Sequence, residues 1–199
     1  MKKNIKIQQG STFEWVVRWQ SRTVAFAAIT AITKAAPPVI TATGHGMPDG
    51  WKGAITNVRG MTELNAASDP PDTVEDYYEF DVTDANTLSP KGIDATGFGT
   101  YTSGGVIRFF EPVDLDSYTA RMHIRQSLAA TTTLLELNTE NSRIALDNVA
   151  KTITLTISAT DTAALDFTAG VYSLELVSGS GEVAEILTGS VTLVKEVTR

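Results

Sequence analysis

The run "FEWVVRW" puts Phe13, Trp15, Val17 and Trp19 on one parity, with Glu14, Arg18 and the following Gln20 on the other. Successive side chains of a strand point to opposite faces, so this pattern predicts a strand with one buried side. The same two-residue period returns along the chain. In "YTARMHIR" the apolar set is Tyr118, Ala120, Met122 and Ile124, and the polar set is Thr119, Arg121, His123 and Arg125. "TITLTI" from Thr152 turns Ile153, Leu155 and Ile157 inward, and "VYSLELV" from Val171 does the same for Tyr172, Leu174 and Leu176. In "SVTLVKEV" from Ser190, Val191, Leu193 and Lys195 alternate against Thr192 and Val194, which leaves its orientation open.

Threonine and valine, the β-branched residues that strands favour, are abundant throughout. Turn clusters such as "LDNVAK", Leu146 to Lys151, and "SGSGE", Ser178 to Glu182, separate the runs at short intervals. One helical turn is predicted in "SATDTAAL", capped by Ser158 or Thr160 with Asp161 in its first turn. Ala25 to Ala36 is alanine-rich, but its Ile-Thr repeats suit a strand better. The chain reads as all-β.

Its organisation is set by a shift in composition. From about Thr23 to Gly105 the sequence turns rich in Gly, Pro and Asp, with Pro37-Pro38, "HGMPDG" and "SDPPD", while cleaner alternation lies on either side. Residues 1–22 and 106–199 therefore read as one discontinuous antiparallel sandwich, and 23–105 as an insertion. The outer length fits a seven- to nine-strand sandwich of about 100 residues.

Composition narrows the function classes. Over 199 residues, hydrophobic content is 42% and charged content 20%, ordinary for a chain that fills a core. No apolar run approaches the ~18–20 residues of a membrane span, and no apolar stretch follows the lysines of "MKKNIKIQQG" as a secretory signal requires. A net charge of −7 with scattered lysines and arginines argues against nucleic acid as a partner. The absence of cysteine removes disulfides and thiolate chemistry, and fits folding in a reducing cytoplasm.

One segment looks chemical. "VITATGHGMPDGWKGAITNVRGMTELNAA", Val39 to Ala67, holds a histidine, an aspartate, a glutamate, two asparagines and five glycines. A zinc site made by protein alone needs three or four ligands at recognisable spacing, and His45 with the distant His123 does not supply it. His45, between two glycines, reads as a turn-capping or interface residue. Asp49-Gly50 is a turn dipeptide. Glu63 and Asn65 read as polar loop anchors, with Met61 and Leu64 plugging a core beneath them. Asp81, Asp84, Asp114 and Asp116 lack the spacing of a calcium loop and read as turn formers. The glycines of "SGGV", Ser103 to Val106, mark a strand kink. No nucleophile elbow, P-loop or dinucleotide fingerprint is present. The sequence thus predicts no catalytic, cofactor-binding or metal-binding residue, and no cofactor.

Three runs carry a resemblance: "ITATGHGMPDGWKGAITNVRGMTELN" from Ile40, "YEFDVTDANTL" from Tyr78 and "IDATGFGTYTSGG" from Ile93. Together they resemble the small β-barrel module known as the first catalytic-cysteine half-domain of ubiquitin-activating enzymes, similar copies of which recur in tailed-bacteriophage structural proteins. The shared elements fall on His45-Gly46, Val58 to Asn65, Val82 to Leu88 and Gly97 to Gly105. The module is non-catalytic even in those enzymes. Here "SDPPDTVED", Ser68 to Asp76, forms a longer acidic loop expected to project. The outer segments "GSTFEWVVRW", "PVDLDSYTARMHIR", "GVYSLEL" and "GSVTLVKEVTR" are similar to a family of phage virion proteins, with Ser117 where that family commonly has glycine.

The resemblances imply an immunoglobulin-like antiparallel sandwich interrupted by a small β-barrel insertion. They also imply a non-enzymatic virion structural protein, made in the host cytoplasm, at the tail, baseplate or collar. Its partners would be other virion proteins, portal-proximal ones among them, met in several symmetric copies, with neither nucleic acid nor membrane involved. The alternative is a receptor- or carbohydrate-binding module on the virion surface, stacking sugars on Trp51, Tyr77, Tyr78 or Phe98. A hydrolase of envelope polymer is a distant third. The termini, Met1 to Gln9 and Lys195 to Arg199, are polar, so the N-terminal arm is expected to be loosely held and free to add a strand to a neighbour.

Overall fold

A computed structural model describes residues 1–196 and is nearly all β. The chain opens with β1 (Ile5–Gln8) and β2 (Phe13–Val17). It continues through β3 (Gln20–Ala28), β4 (Ala31–Ile32), β5 (Ile40–Thr41), β6 (Trp51–Arg59), β7 (Tyr77–Val82), β8 (Thr87–Pro90) and β9 (Ser103–Pro112). It closes with β10 (Thr119–Arg125), β11 (Thr133–Asn138), β12 (Ile144–Asp147), β13 (Thr152–Ile157), α1 (Ala159–Ala163), β14 (Ala169–Val177) and β15 (Val183–Val194). Among the described residues no helix is long and apolar enough to cross a membrane.

Two compact units divide after Trp19 and after Val113. The expected boundaries, 22/23 and 105/106, fall inside β3 and β9. These two strands pair from Gln20 against Pro112 to Ala28 against Val106, so the boundary must pass outside their ladder. Gln20 and Pro112 being register partners, the two ends of the second unit lie side by side.

The first unit has a five-stranded sheet, β1-β15-β14-β10-β11, and a three-stranded one, β12-β13-β2. Their inward residues share one core, in which Met122, Ile124, Leu174 and Leu176 join Ile153, Leu155 and Ile157. The alternation in β10, β13 and β14 selects these residues, and in β15 it buries Val191 and Leu193. Phe13, Trp15, Val17 and Trp19 face this core but are only half-buried, because β2 is an edge strand with one open flank. The Trp15 ring stands edge-on to Tyr172, centroids 6.1 Å apart. The short helix α1 is capped where expected: the Ser158 side chain accepts from the Asp161 N–H at 3.1 Å.

The N-terminal arm is a correction. It is not loose: β1 pairs in parallel with β15, Ile5 against Val191 through Gln8 against Val194. The Lys3 N–H donates to the Thr188 carbonyl at 2.8 Å, and the Tyr172 hydroxyl donates to the Lys3 carbonyl at 2.7 Å. Ile5 and Ile7 are buried, Ile7 completely. Burying one such side chain stabilises by about 1.5–3 kcal/mol, which offsets the entropy of ordering the arm. The close approach needs Gly189, where a Cβ would collide with the Lys3 carbonyl. Of the C-terminal segment, Lys195 and Glu196 are exposed, and the rest lies outside the described residues.

The second unit is one seven-stranded sheet, β3-β9-β6-β7-β8-β5-β4. Its first and last strands are separated in sequence only by Ile29 and Thr30. The Ile29 N–H donates to Gly105 and the Thr30 N–H to Thr41, each at 2.9 Å, so neighbouring residues bond to opposite ends of the sheet. The sheet therefore curls around on itself. Phe80, Ile55, Met61, Leu64, Leu88 and Ile107 fill its core. Gly104 and Gly105 lie inside β9 at φ 73° and 94°, a left-handed region where glycine carries no Cβ penalty, and kink the strand.

Candidate functional site

The polar cluster between Val39 and Ala67 is built on β6 and the loops around it. His45 sits in a tight turn between Gly44 and Gly46, at φ 65° and 67°. Its ring is buried. Nδ1 accepts from the Met47 N–H at 3.0 Å, which leaves the proton on Nε2, 2.9 Å from the Asp84 carbonyl oxygen. Both ring nitrogens therefore bind backbone.

Asp84 closes the facing turn. Its Oδ1 accepts from the N–H groups of Asn86 at 2.7 Å and Thr87 at 3.0 Å, and its Oδ2 from the Thr87 hydroxyl at 2.8 Å. The Asn86 N–H leads in holding this carboxyl below the usual range. The Asn86 side chain in turn accepts from the Gly44 N–H at 3.1 Å, which laces the two turns together.

At the other end of β6, Asn65 behaves like a piece of strand. Its Oδ1 accepts from the Val58 N–H at 2.9 Å, and its Nδ2 donates to the Val58 carbonyl at 3.0 Å. Glu63 Oε1 accepts from the Gly99 N–H at 2.8 Å. Hydrogen bonds from its own N–H and then from that of Gly99 lower its pKa. Asp49 Oδ1 accepts from the Val82 N–H at 2.9 Å, beside the turn at Gly50.

The acidic loop folds around Asp76. That carboxylate is buried and accepts from the Ala67 N–H at 2.8 Å, the Thr73 N–H at 3.2 Å and the Thr73 hydroxyl at 3.0 Å. The Ala67 N–H leads in lowering its pKa.

Asp114 forms a turn in the first unit, accepting from the Asp116 N–H at 3.0 Å. Among the described residues no group of three or more His, Cys, Asp or Glu is placed to hold a metal ion.

The aromatic residues named for sugar stacking differ in exposure. Trp51 is 3% exposed and its Nε1 donates to the Phe110 carbonyl at 2.8 Å, which removes it as a stacking platform. Tyr78 and Phe98 pack against the core of the second unit, and Tyr77 is half-buried on β7.

Sequence reasoning missed a groove of 580 Å³ on the outer face of the five-stranded sheet, lined by Lys2, Arg121, His123, Arg125, Glu175 and Glu185 among others. Its signal was present in the polar parity of "YTARMHIR", but the groove forms only once β14, β15 and the N-terminal segment stand beside β10. Arg121 pairs with Glu175 at 2.8 Å, and the Ser173 hydroxyl donates to Glu185 at 2.9 Å. Arg125 donates to the Ala130 carbonyl at 3.3 Å.

Comparison with protein-family models finds no match, and comparison with curated proteins finds none.

Proposed function

We propose that this chain is a non-enzymatic structural protein of a tailed-bacteriophage virion, joining tail, baseplate or collar proteins through protein–protein contacts in several symmetric copies. One observation carries the reading: the residues that make up the phage-module resemblance are those whose side chains or backbone hold the second unit together. His45-Gly46 forms the laced turn, Met61 and Leu64 the core plug, Glu63 and Asn65 the backbone clamps, Asp84 to Thr87 the facing turn, and Gly104-Gly105 the kink in β9. These groups bind backbone or fill the core, as a rigid building block requires.

The test is composition of the particle. Virions released from cells carrying the gene would be banded on a density gradient and their proteins quantified by mass spectrometry. The expected result is this chain at several copies per particle, with deletion of the gene giving particles that lack a part. Its absence from banded particles of normal infectivity overturns the reading.

A further inference from the structure

The groove on the first unit and the acidic loop on the second are complementary in charge and in apolar content. The chain carries a net charge of −7, yet the groove sets Lys2, Arg121 and Arg125 against Glu175 and Glu185. Arg121 is matched by Glu175, while Lys2 and Arg125 form no ion pair among the described residues. Glu185 is held at the β15 side by the Ser173 hydroxyl. The rim carries Leu128, which is 92% exposed.

The loop Ser68 to Asp76 contains four acids and no lysine or arginine. Asp76 fixes its shape from inside, and the Ser68 hydroxyl donates to Asp72 at 2.9 Å. Asp69, Asp72 and Glu75 are exposed. At its tip Val74 is 77% exposed beside Glu75.

We propose that the groove of one copy receives the acidic loop of a second copy of this chain, with Glu75 meeting Arg125 and Val74 meeting Leu128. This rests on reading the chain as a multi-copy assembly component, and it names the partner. A loop already held by its own hydrogen bonds loses little freedom on docking. Groove and loop belong to different units, so each copy offers one of each and the contact is head-to-tail. Such contacts close rings or extend filaments.

Sedimentation velocity of the full chain over a concentration series, at low and raised salt, tests this. The expected result is concentration-dependent association that weakens as salt screens the charges. Glu75→Lys and Arg125→Glu should each weaken association about tenfold, and the double variant should restore it because the swapped charges again attract. Val74→Ser, which leaves the charges alone, should weaken it several-fold. Circular dichroism confirms that each variant is folded. A wild-type chain that stays monomeric throughout, single reversals without effect, or a double variant no better than the singles would each overturn the docking. Presence of the chain in particles is read separately, so a monomeric chain found in virions would remove the loop-in-groove contact and leave the virion reading intact.

Discussion

Removing the Asn65 side chain tests whether the polar cluster on β6 is structural. Asn65→Ala leaves the Val58 N–H and carbonyl without the partners that hold them at 2.9 and 3.0 Å, while the Val58 residue is only 2% exposed. An orphaned buried polar group costs about 1–3 kcal/mol, so two would cost about 2–6 kcal/mol if both stayed dry. Asn65 is half-buried and lines a shallow cleft, so water can replace part of what is lost. The expected cost is therefore near the lower end, about 2 kcal/mol. For a unit of this size that lowers its melting temperature by roughly 8–16 °C. Asn65→Asp keeps the acceptor for the Val58 N–H but sets a carboxylate oxygen against the Val58 carbonyl, and should be at least as damaging at neutral pH. Scanning calorimetry gives the magnitude, and hydrogen exchange locates the loss in peptides from Gln20–Val113. A change below about 0.5 kcal/mol, or lost protection confined to the first unit, refutes the reasoning.

Trp15→Ala should cost about 2–3 kcal/mol in urea denaturation, below the 3–5 of a fully buried aromatic because the ring is half-buried; Glu14→Ala should stay within about 0.5 kcal/mol. Equal effects at the two positions would reverse the inward face of β2. Gly189→Ala should detach the N-terminal strand, since its Cβ would strike the Lys3 carbonyl, and should abolish exchange protection at Ile5–Gln8; unchanged protection there refutes the packing. Burial pushes the Tyr172 phenol up to about 12. A raised folded pKa favours the protonated form, so its contribution is complete below the ordinary tyrosine value near 10 and is lost as pH rises through about 12. Wild-type stability should fall across that window more steeply than that of Tyr172→Phe, and parallel pH profiles would discount the effect.

The faces of the strands were legible because each needs only its own sequence. Parity picked out Met122 and Ile124 on β10, Ile153 and Leu155 on β13, and Leu174 on β14. Asp49-Gly50, Ser158 and Gly104-Gly105 were legible for a similar reason, since a turn, a cap and a kink each depend on one or two residues. What depended on distant pairing was not. "IKI" between lysines has only two apolar residues and reads as a polar tail until β15, far along the chain, is placed beside it. The unit boundary was misplaced by three residues at one end and eight at the other, because composition changes inside the β3–β9 ladder and the pairing does not.

The segment around His45 raises a different difficulty, one of kind. A small curled sheet has irregular crossings, and their buried N–H and carbonyl groups must find partners. The side chains able to supply them are Asp, Glu, Asn and His, the same ones that carry catalysis and metal binding. Proximity in sequence therefore looks alike for a loop clamp and for an active site. The identity of the partner separates them. A catalytic acid faces a cleft or another titratable group, whereas Glu63 faces the Gly99 N–H, Asp84 those of Asn86 and Thr87, and His45 the backbone of Met47 and Asp84. Each of these donors or acceptors belongs to the main chain of the same unit, so these contacts hold its loops in place. The groove on the first unit has the opposite character: Lys2 and Arg125 stand on a sheet face with no carboxylate paired to them among the described residues. Charge left unmatched on a regular sheet, and not polar density in a loop, is where a partner for this chain should be sought.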